Sequence, residues 1–122
     1  MAGTANLSST FAIIYDPSNG SETVVTNPGR AFKIVAVYGN KSDNVGTTNV
    51  TVKSSTSGGV DTTLVNAKTV ANDSTTFLEM EAVSSEVAST SNLKVTCSTF
   101  AAGTTVTILC TGTNGGSALN AV

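Results

Sequence analysis

The chain has 122 residues, of which 11% are charged, with a net charge of -2, no histidine and two cysteines. Such a length is typical of a single domain. The composition excludes a Ser-His-Asp triad, a Cys-His dyad and a Cys/His zinc site built by this chain alone, and six basic residues are too few for a surface that neutralises nucleic-acid phosphates.

The sequence has no segment that predicts membrane insertion or export. Its apolar runs stay well below the roughly 18 residues of a membrane-spanning helix. Residues 1–4 lack the charged and apolar regions of a secretory signal peptide. We therefore expect synthesis in the cytoplasm and no membrane partner.

Residue usage predicts strands throughout. Valine and threonine are abundant, and their branching at Cβ suits a pleated sheet better than a helix. Serine, threonine, asparagine and glycine make up nearly half of the chain. They provide turns and a neutral surface of hydroxyl and amide groups.

The first third of the chain predicts three strands, at 7–15, 22–26 and 31–39, separated by Asn/Pro/Gly turns at 16–20 and 27–30. The third strand is the most apolar. One of its faces carries Phe32, Ile34, Ala36 and Tyr38, and the other carries Ala31, Lys33, Val35 and Val37. Apolar residues on both faces predict a central strand that is covered on both sides.

The middle of the chain predicts a hairpin and further short strands. After a polar loop at 40–47, alternation places Val50 and Val52 inward, and the turn at 57–59 leads into a strand at 60–65. Further strands are expected at 67–71 and, after a turn at 72–74, at 75–82, where Leu78 and Met80 share one face and Phe77, Glu79 and Glu81 the other. The segment 83–92 reads as a loop with at most one helical turn.

The last two strands predict a second hairpin. Leu93, Val95 and Cys97 share one face, as do Val106, Ile108 and Cys110. If Gly103-Thr104 forms a two-residue type II′ loop, Cys97 lies opposite Cys110 with Cα atoms about 4.5 Å apart, within disulfide range. Two buried reduced thiols are the favoured alternative, because cytoplasmic proteins rarely keep disulfides.

The fold class that follows is all-β: a single-domain antiparallel β-sandwich or jelly-roll-like barrel of about eight short strands. The domain is expected to cover residues 1–122. Its flexible termini are an N-terminal arm at 1–6 and a loose, glycine-containing C-terminal tail at 112–122.

Candidate chemical sites are weak. Glu79 and Glu81 lie two residues apart, about 7 Å, which is close to the spacing of an inverting glycosidase pair, but the water-facing side of a strand is the favoured interpretation. The polar loops 16–22 and 40–44 have too few carboxylates for calcium and are better explained as turns. The sequence thus predicts no catalytic, cofactor-binding or metal-binding residue, and a protein that is not an enzyme.

Sugar binding is a second alternative. Tyr15 and Tyr38 are the candidates for stacking on a sugar ring, although buried core aromatics are the favoured interpretation. The hydroxyl-rich loops permit a carbohydrate-binding or adhesion domain of a fibre or surface protein. A small sandwich with open strand edges and loose ends is instead well suited to assembly with neighbouring chains.

In length, composition and regular turn-strand rhythm, the whole chain resembles the small all-β decoration (cement) proteins of tailed-bacteriophage heads. The resemblance implies a virion protein on the capsid exterior, made in the host cytoplasm, that braces the expanded head. It also implies binding to the major capsid protein and a homo-oligomer, a dimer or trimer. No nucleic acid is involved, and without a shared motif no residue role is carried over. The arm 1–10, a strand edge and the loop 40–47 are the expected contacts.

Overall fold

The computed structural model describes residues 10–16, 22–25, 31–81, 85–98 and 103–112. The predicted arm and all of the predicted tail except Gly112 lie outside these residues, as do the turn at 27–30 and most of the turn at 16–20. Gly112 is the last residue of a strand.

The described residues form nine strands and no helix. They are β1 (Thr10–Tyr15), β2 (Glu22–Val25), β3 (Phe32–Lys41), β4 (Thr48–Ser55), β5 (Asp61–Val70), β6 (Ser74–Phe77), β7 (Glu86–Val87), β8 (Asn92–Cys97) and β9 (Thr104–Gly112). The predicted number of about eight is therefore confirmed.

Two antiparallel sheets make up the fold. The large sheet has the order β1-β9-β3-β6, with β7 also paired to β3, and the small sheet has the order β2-β8-β4-β5. The inner faces of both contribute to one apolar core, as in a sandwich. The predicted all-β sandwich class is confirmed.

The core is built by the alternation of side chains along the strands. Fully buried positions come from both sheets: Val37, Val50, Val52, Leu64, Val65, Val95, Val106 and Ile108. The predicted inward faces of β4, β8 and β9 are thus confirmed. The hairpin of β4 and β5 is confirmed as well, and its turn is closed by hydrogen bonds between Thr56 and Val60 and between Gly59 and Thr56.

The prediction that residues 31–39 are covered on both sides is wrong. β3 is central in its sheet, but Lys33 and Val35 are exposed, so only one face meets the core. A register shift between Ile34 and Ala36 inserts one extra residue. This bulge moves the inward set from even to odd positions, so that Val37 is buried.

The predictions for the third quarter of the chain need smaller corrections. Residues 67–70 do not form a separate strand but are the end of β5. The pairing of β5 with β4 is irregular before this end, and Ala67 has a positive φ of 48°. β6 ends at Phe77, earlier than predicted, although Leu78 is buried as expected. The predicted loop after it contains the two-residue strand β7.

The predicted hairpin of the last two strands is wrong. β8 pairs with β2 and β4 in the small sheet, whereas β9 pairs with β1 and β3 in the large one. Cys97 and Cys110 therefore face the core from different sheets, and both are free thiols. Gly103, at φ 78°, does not close a hairpin: its carbonyl accepts a hydrogen bond from the Ser42 amide at 2.9 Å.

Candidate assembly surface

The outer face of the large sheet carries two neighbouring rows of mainly apolar residues. The strand register aligns Ile14, Thr107, Tyr38 and Phe77 in one row across four strands, and Ala12, Leu109 and Ala36 in the next. The bulged residue Val35 lies beside the second row. We call these eight residues the apolar band.

Several members of the apolar band are strongly exposed. The exposed fractions are 67% for Ile14, 60% for Val35 and 57% for Phe77. The rings of Tyr38 and Phe77 pack edge to face with centroids 5.6 Å apart. The cross-strand pair thus holds an exposed aromatic surface in a fixed orientation.

Polar residues border the apolar band along the strand direction. Beyond the first row, the Asn40 amide donates to Thr75 Oγ1 at 2.8 Å, and the Thr105 hydroxyl donates to Asp16 Oδ1 at 2.9 Å. At the other end, Lys33 lies directly across from Glu86. The charged residues that belong to the strands of this face therefore lie at its ends, and the eight residues of the apolar band are uncharged.

The edge of the large sheet at β1 is the second feature suited to assembly. Among the described residues, β1 pairs only with β9. Its sequence from Thr10 to Tyr15 contains no charge and no proline. For Thr10–Ile14, β9 is the only strand partner among the described residues, and a regular apolar edge of this kind can add another strand. The β5 edge is less regular, because its pairing with β4 is interrupted twice.

The predicted contact loop 40–47 is partly an internal anchor. Asn40 and Lys41 belong to β3, and the Lys41 side chain is fully buried with its Nζ atom 2.6 Å from Asp43 Oδ1. The hydrogen bond from Lys41, followed by one from the Val45 amide, lowers the pKa of the Asp43 carboxyl. Since this carboxylate already has internal partners, it stabilises the loop rather than offering itself to a partner protein.

The remaining sequence candidates are dispersed. Tyr15 packs against the core, as expected, but Tyr38 faces outward beside Phe77, so its predicted core position is wrong. Glu79 and Glu81 follow the end of β6, and Glu81 lies 3.9 Å from Lys68 Nζ.

The two cysteines are buried in the core, and burial raises the pKa of each thiol to about 11. Within the described ranges, no three His, Cys, Asp or Glu residues come close enough together to hold a metal ion. In the same ranges we find no helix of the length and apolarity needed to cross a membrane.

The apolar band was missed at the sequence level, although a signal for it exists. Alternation assigns Ile14 and Phe77 to the outer face, where small polar residues are usual. Large apolar residues at such positions indicate a contact surface. Val35 lies on the same face as Lys33 by simple alternation, whereas Ala36 joins this outer face through the bulge, which depends on the pairing of β3 with β9 and leaves no local signal.

Comparisons with known proteins give no family. No protein-family model matches the sequence, and no curated protein matches it. Among solved structures, the chain is similar to one in a structure of infectious bursal disease virus, Gx strain, with 8% sequence identity and a TM-score of 0.45. The match covers 91% of this chain and 33% of that one, so this chain spans about a third of its length.

Proposed function

We propose that this protein is a structural component of a virus particle: a decoration (cement) protein that binds the major capsid protein on the outside of a tailed-bacteriophage head and stabilises the expanded shell. The uncharged edge of β1, where Thr10–Ile14 have β9 as their only strand partner within the described ranges, carries the proposal. The contact segment 1–10 expected from the sequence ends at the first residue of this strand, so we include both in the proposed attachment segment. The proposed role is mechanical and needs no reactive group.

Attachment through a strand edge suits a protein with so few charges. A strand of a capsid subunit added beside β1 would pair its main-chain groups with those on the side of Thr10–Ile14 that faces away from β9. Each such hydrogen bond contributes only about 1 kcal/mol. Many copies on a symmetric shell, each touching more than one subunit, convert weak contacts into firm attachment through high effective concentration.

The test is binding to purified heads. The intact protein, a variant lacking residues 1–6, and a control lacking residues 117–122 are mixed with expanded and unexpanded heads of the virus that encodes the chain, and bound protein is measured by co-sedimentation. We expect saturable binding of the intact protein to expanded heads, with a stoichiometry near one copy per few capsid subunits. The arm deletion weakens binding at least tenfold, and the tail deletion leaves it unchanged.

Two results would contradict the proposal. One is an intact protein that does not bind expanded heads. The other is an arm deletion that binds as well as the intact chain while keeping the same thermal unfolding midpoint. Equal unfolding midpoints are the necessary control, because they separate lost attachment from lost folding.

A carbohydrate-binding or adhesion domain is the second candidate function. The pair of exposed Phe77 and half-buried Tyr38 supports it, since an aromatic surface beside the Asn40 amide resembles the setting in which sugars stack and donate hydrogen bonds. Saturable binding on a glycan array that is lost on Phe77→Ala, together with no binding to heads, would favour this function over capsid decoration.

A further inference from the structure

We propose that the apolar band is the contact surface of a homodimer, in which two copies of the chain pack the outer faces of their large sheets against each other about a twofold axis. The proposal does not depend on capsid attachment. It starts from three side chains that are more than half exposed on one sheet face: Ile14, Val35 and Phe77.

The size of the face fits a small dimer. The apolar band together with its polar borders spans four strands about 4.8 Å apart and the residues 33–40 of β3 with a rise of about 3.3 Å each, a face of about 19 by 26 Å, or about 500 Å². Two such faces bury about 1,000 Å², which is the lower limit for a specific protein interface. We therefore expect a concentration-dependent dimer rather than a permanent one.

The shape of the face also fits a second copy. A twisted sheet packs best against another sheet with the same twist, about 10 Å away and rotated by about 30°. A twofold axis supplies such a sheet automatically, because both copies present the same face. Large outward side chains such as Tyr38 and Phe77 can then interdigitate with those of the second copy.

The charges on this face permit the pairing. Lys33 and Glu86 lie together at one end, and Asp16 lies at the opposite end on the β1 side. When the twofold axis runs across the strands, Glu86 faces Thr75 of the second copy and Asp16 faces Thr10. When the axis runs along the strands, Glu86 faces Thr10 of the second copy and Asp16 faces Thr75. In both alignments Asp16 and Glu86 meet no carboxylate of the described strands, so like-charge repulsion between these two positions does not oppose the contact.

Because the apolar band is uncharged, a second copy of the chain suits it better than a strongly charged partner protein. A partner with a strongly acidic or basic surface would lose hydration on the apolar band without gaining an opposite charge. A second copy brings an equally neutral face. The hydroxyl of Thr107, in the middle of the first row, adds polar contacts without adding charge.

The test is the oligomeric state of the full chain. Sedimentation velocity is measured from about 1 to 500 µM for the intact protein, for Ile14→Thr/Phe77→Thr, and for the control Val60→Thr. Val60 is 65% exposed and precedes β5 of the small sheet, so the control removes equally exposed apolar surface elsewhere. Threonine keeps strand propensity at each position.

We expect the intact protein and the control to shift from monomer to dimer with the same midpoint, in the micromolar range expected for so small an interface. The double variant shifts the midpoint at least tenfold higher. Thermal unfolding at low concentration verifies that the double variant remains folded.

Three results would overturn the inference: a monomer at every concentration, a trimer or larger ring, or a dimer that the double variant leaves unchanged.

Head binding separates this inference from the proposed function. A double variant that stays monomeric and still binds heads, more weakly because each copy now attaches singly, supports both proposals. A double variant that dimerises normally but no longer binds heads shows that the capsid occupies the apolar band, and this overturns the dimer.

Discussion

Replacing Gly39 tests how the two sheets meet at one end of the sandwich. Gly39 is buried on the inner face of β3, opposite Val70 at the end of β5. A Cβ atom added at Gly39 would overlap Val70 Cγ2 and lie 3.2 Å from its Cγ1. Valine has one preferred rotamer in most settings, so this side chain cannot easily move away. Gly39→Ala therefore forces β3 and β5 apart.

The size of the effect follows from the space available. Inserting one methyl group into a packed core costs about 1–3 kcal/mol, and the lower backbone entropy of alanine returns part of it, so we expect about 1–2 kcal/mol. Val70→Ala removes two buried methyl groups, which costs about 2–3 kcal/mol with the cavity included. In the double variant the new methyl enters the vacated space, and we expect a total cost at least about 1 kcal/mol below the sum of the single costs.

The measurement is a double-mutant cycle from urea unfolding, with all four proteins at one low concentration. A domain of this length has a free energy of unfolding of roughly 6–18 kcal/mol, so every variant should remain folded. Gly58→Ala serves as the control, because a Cβ atom there meets only Thr56 Oγ1, at 3.8 Å. Its cost should be below about 0.5 kcal/mol.

Additive costs for Gly39→Ala and Val70→Ala would refute the reasoning. Additivity would mean that the two residues do not touch, and the packing of β3 on β5 described above would then be incorrect. A tolerated Gly39→Ala, with a cost equal to that of the Gly58→Ala control, would lead to the same conclusion.

Three further predictions concern the ends and the core of the sandwich. Gly103→Ala should destabilise by about 1–3 kcal/mol in urea unfolding, because φ is 78° and a Cβ atom would lie 2.7 Å from Asp43 Oδ2; an unchanged midpoint would contradict this. The pKa of Asp43 is lowered in the fold, so its contribution to stability is present above the ordinary value of 3.8 and is lost as the pH falls below it. Asp43→Asn should flatten this acid-side loss in pH-dependent unfolding, and an identical acid profile would show that the pair with Lys41 does not form. Cys97 and Cys110, with pKa values of about 11, should be thiolate in only about one molecule in a thousand at pH 8 and should react with a thiol reagent only after unfolding; rapid labelling of the native protein would contradict their burial.

The alternation of apolar residues was sufficient to predict most of the inner surface of the sandwich. Val50, Val52, Leu93 and Val95 were placed inward from the sequence and are buried. Alternation works here because these strands are regular, so side-chain direction depends only on position. It fails where one residue is inserted: the bulge near Val35 reverses every inward assignment after it along β3, and no local pattern indicates that insertion.

The wrong prediction of a hairpin between β8 and β9 shows a second limit of reasoning from side-chain alternation. Cys97 and Cys110 point inward in the structure, as they would in a hairpin of β8 and β9. The inward pattern is therefore the same for both pairings and cannot select the partner strand. The selection comes from distant residues: β4 pairs with β8 over six residues, and β3 pairs with β9 over its whole length. These paired strands are far apart in the sequence, so a pattern within one short segment cannot identify the partner strand.

Low charge connects the composition of the chain to the surfaces proposed for assembly. With a net charge of -2 and 11% charged residues, copies of this protein repel one another weakly, so small apolar contacts can bring them together. Exposed side chains such as Ile14 and Phe77 would be a liability on an isolated protein. Threonine-rich rows around them keep the sheet face neutral and still suited to strand structure. If this chain assembles as proposed, the feature of its sequence that indicates assembly is the replacement of charged residues by hydroxyl-bearing β-formers around a few large apolar side chains.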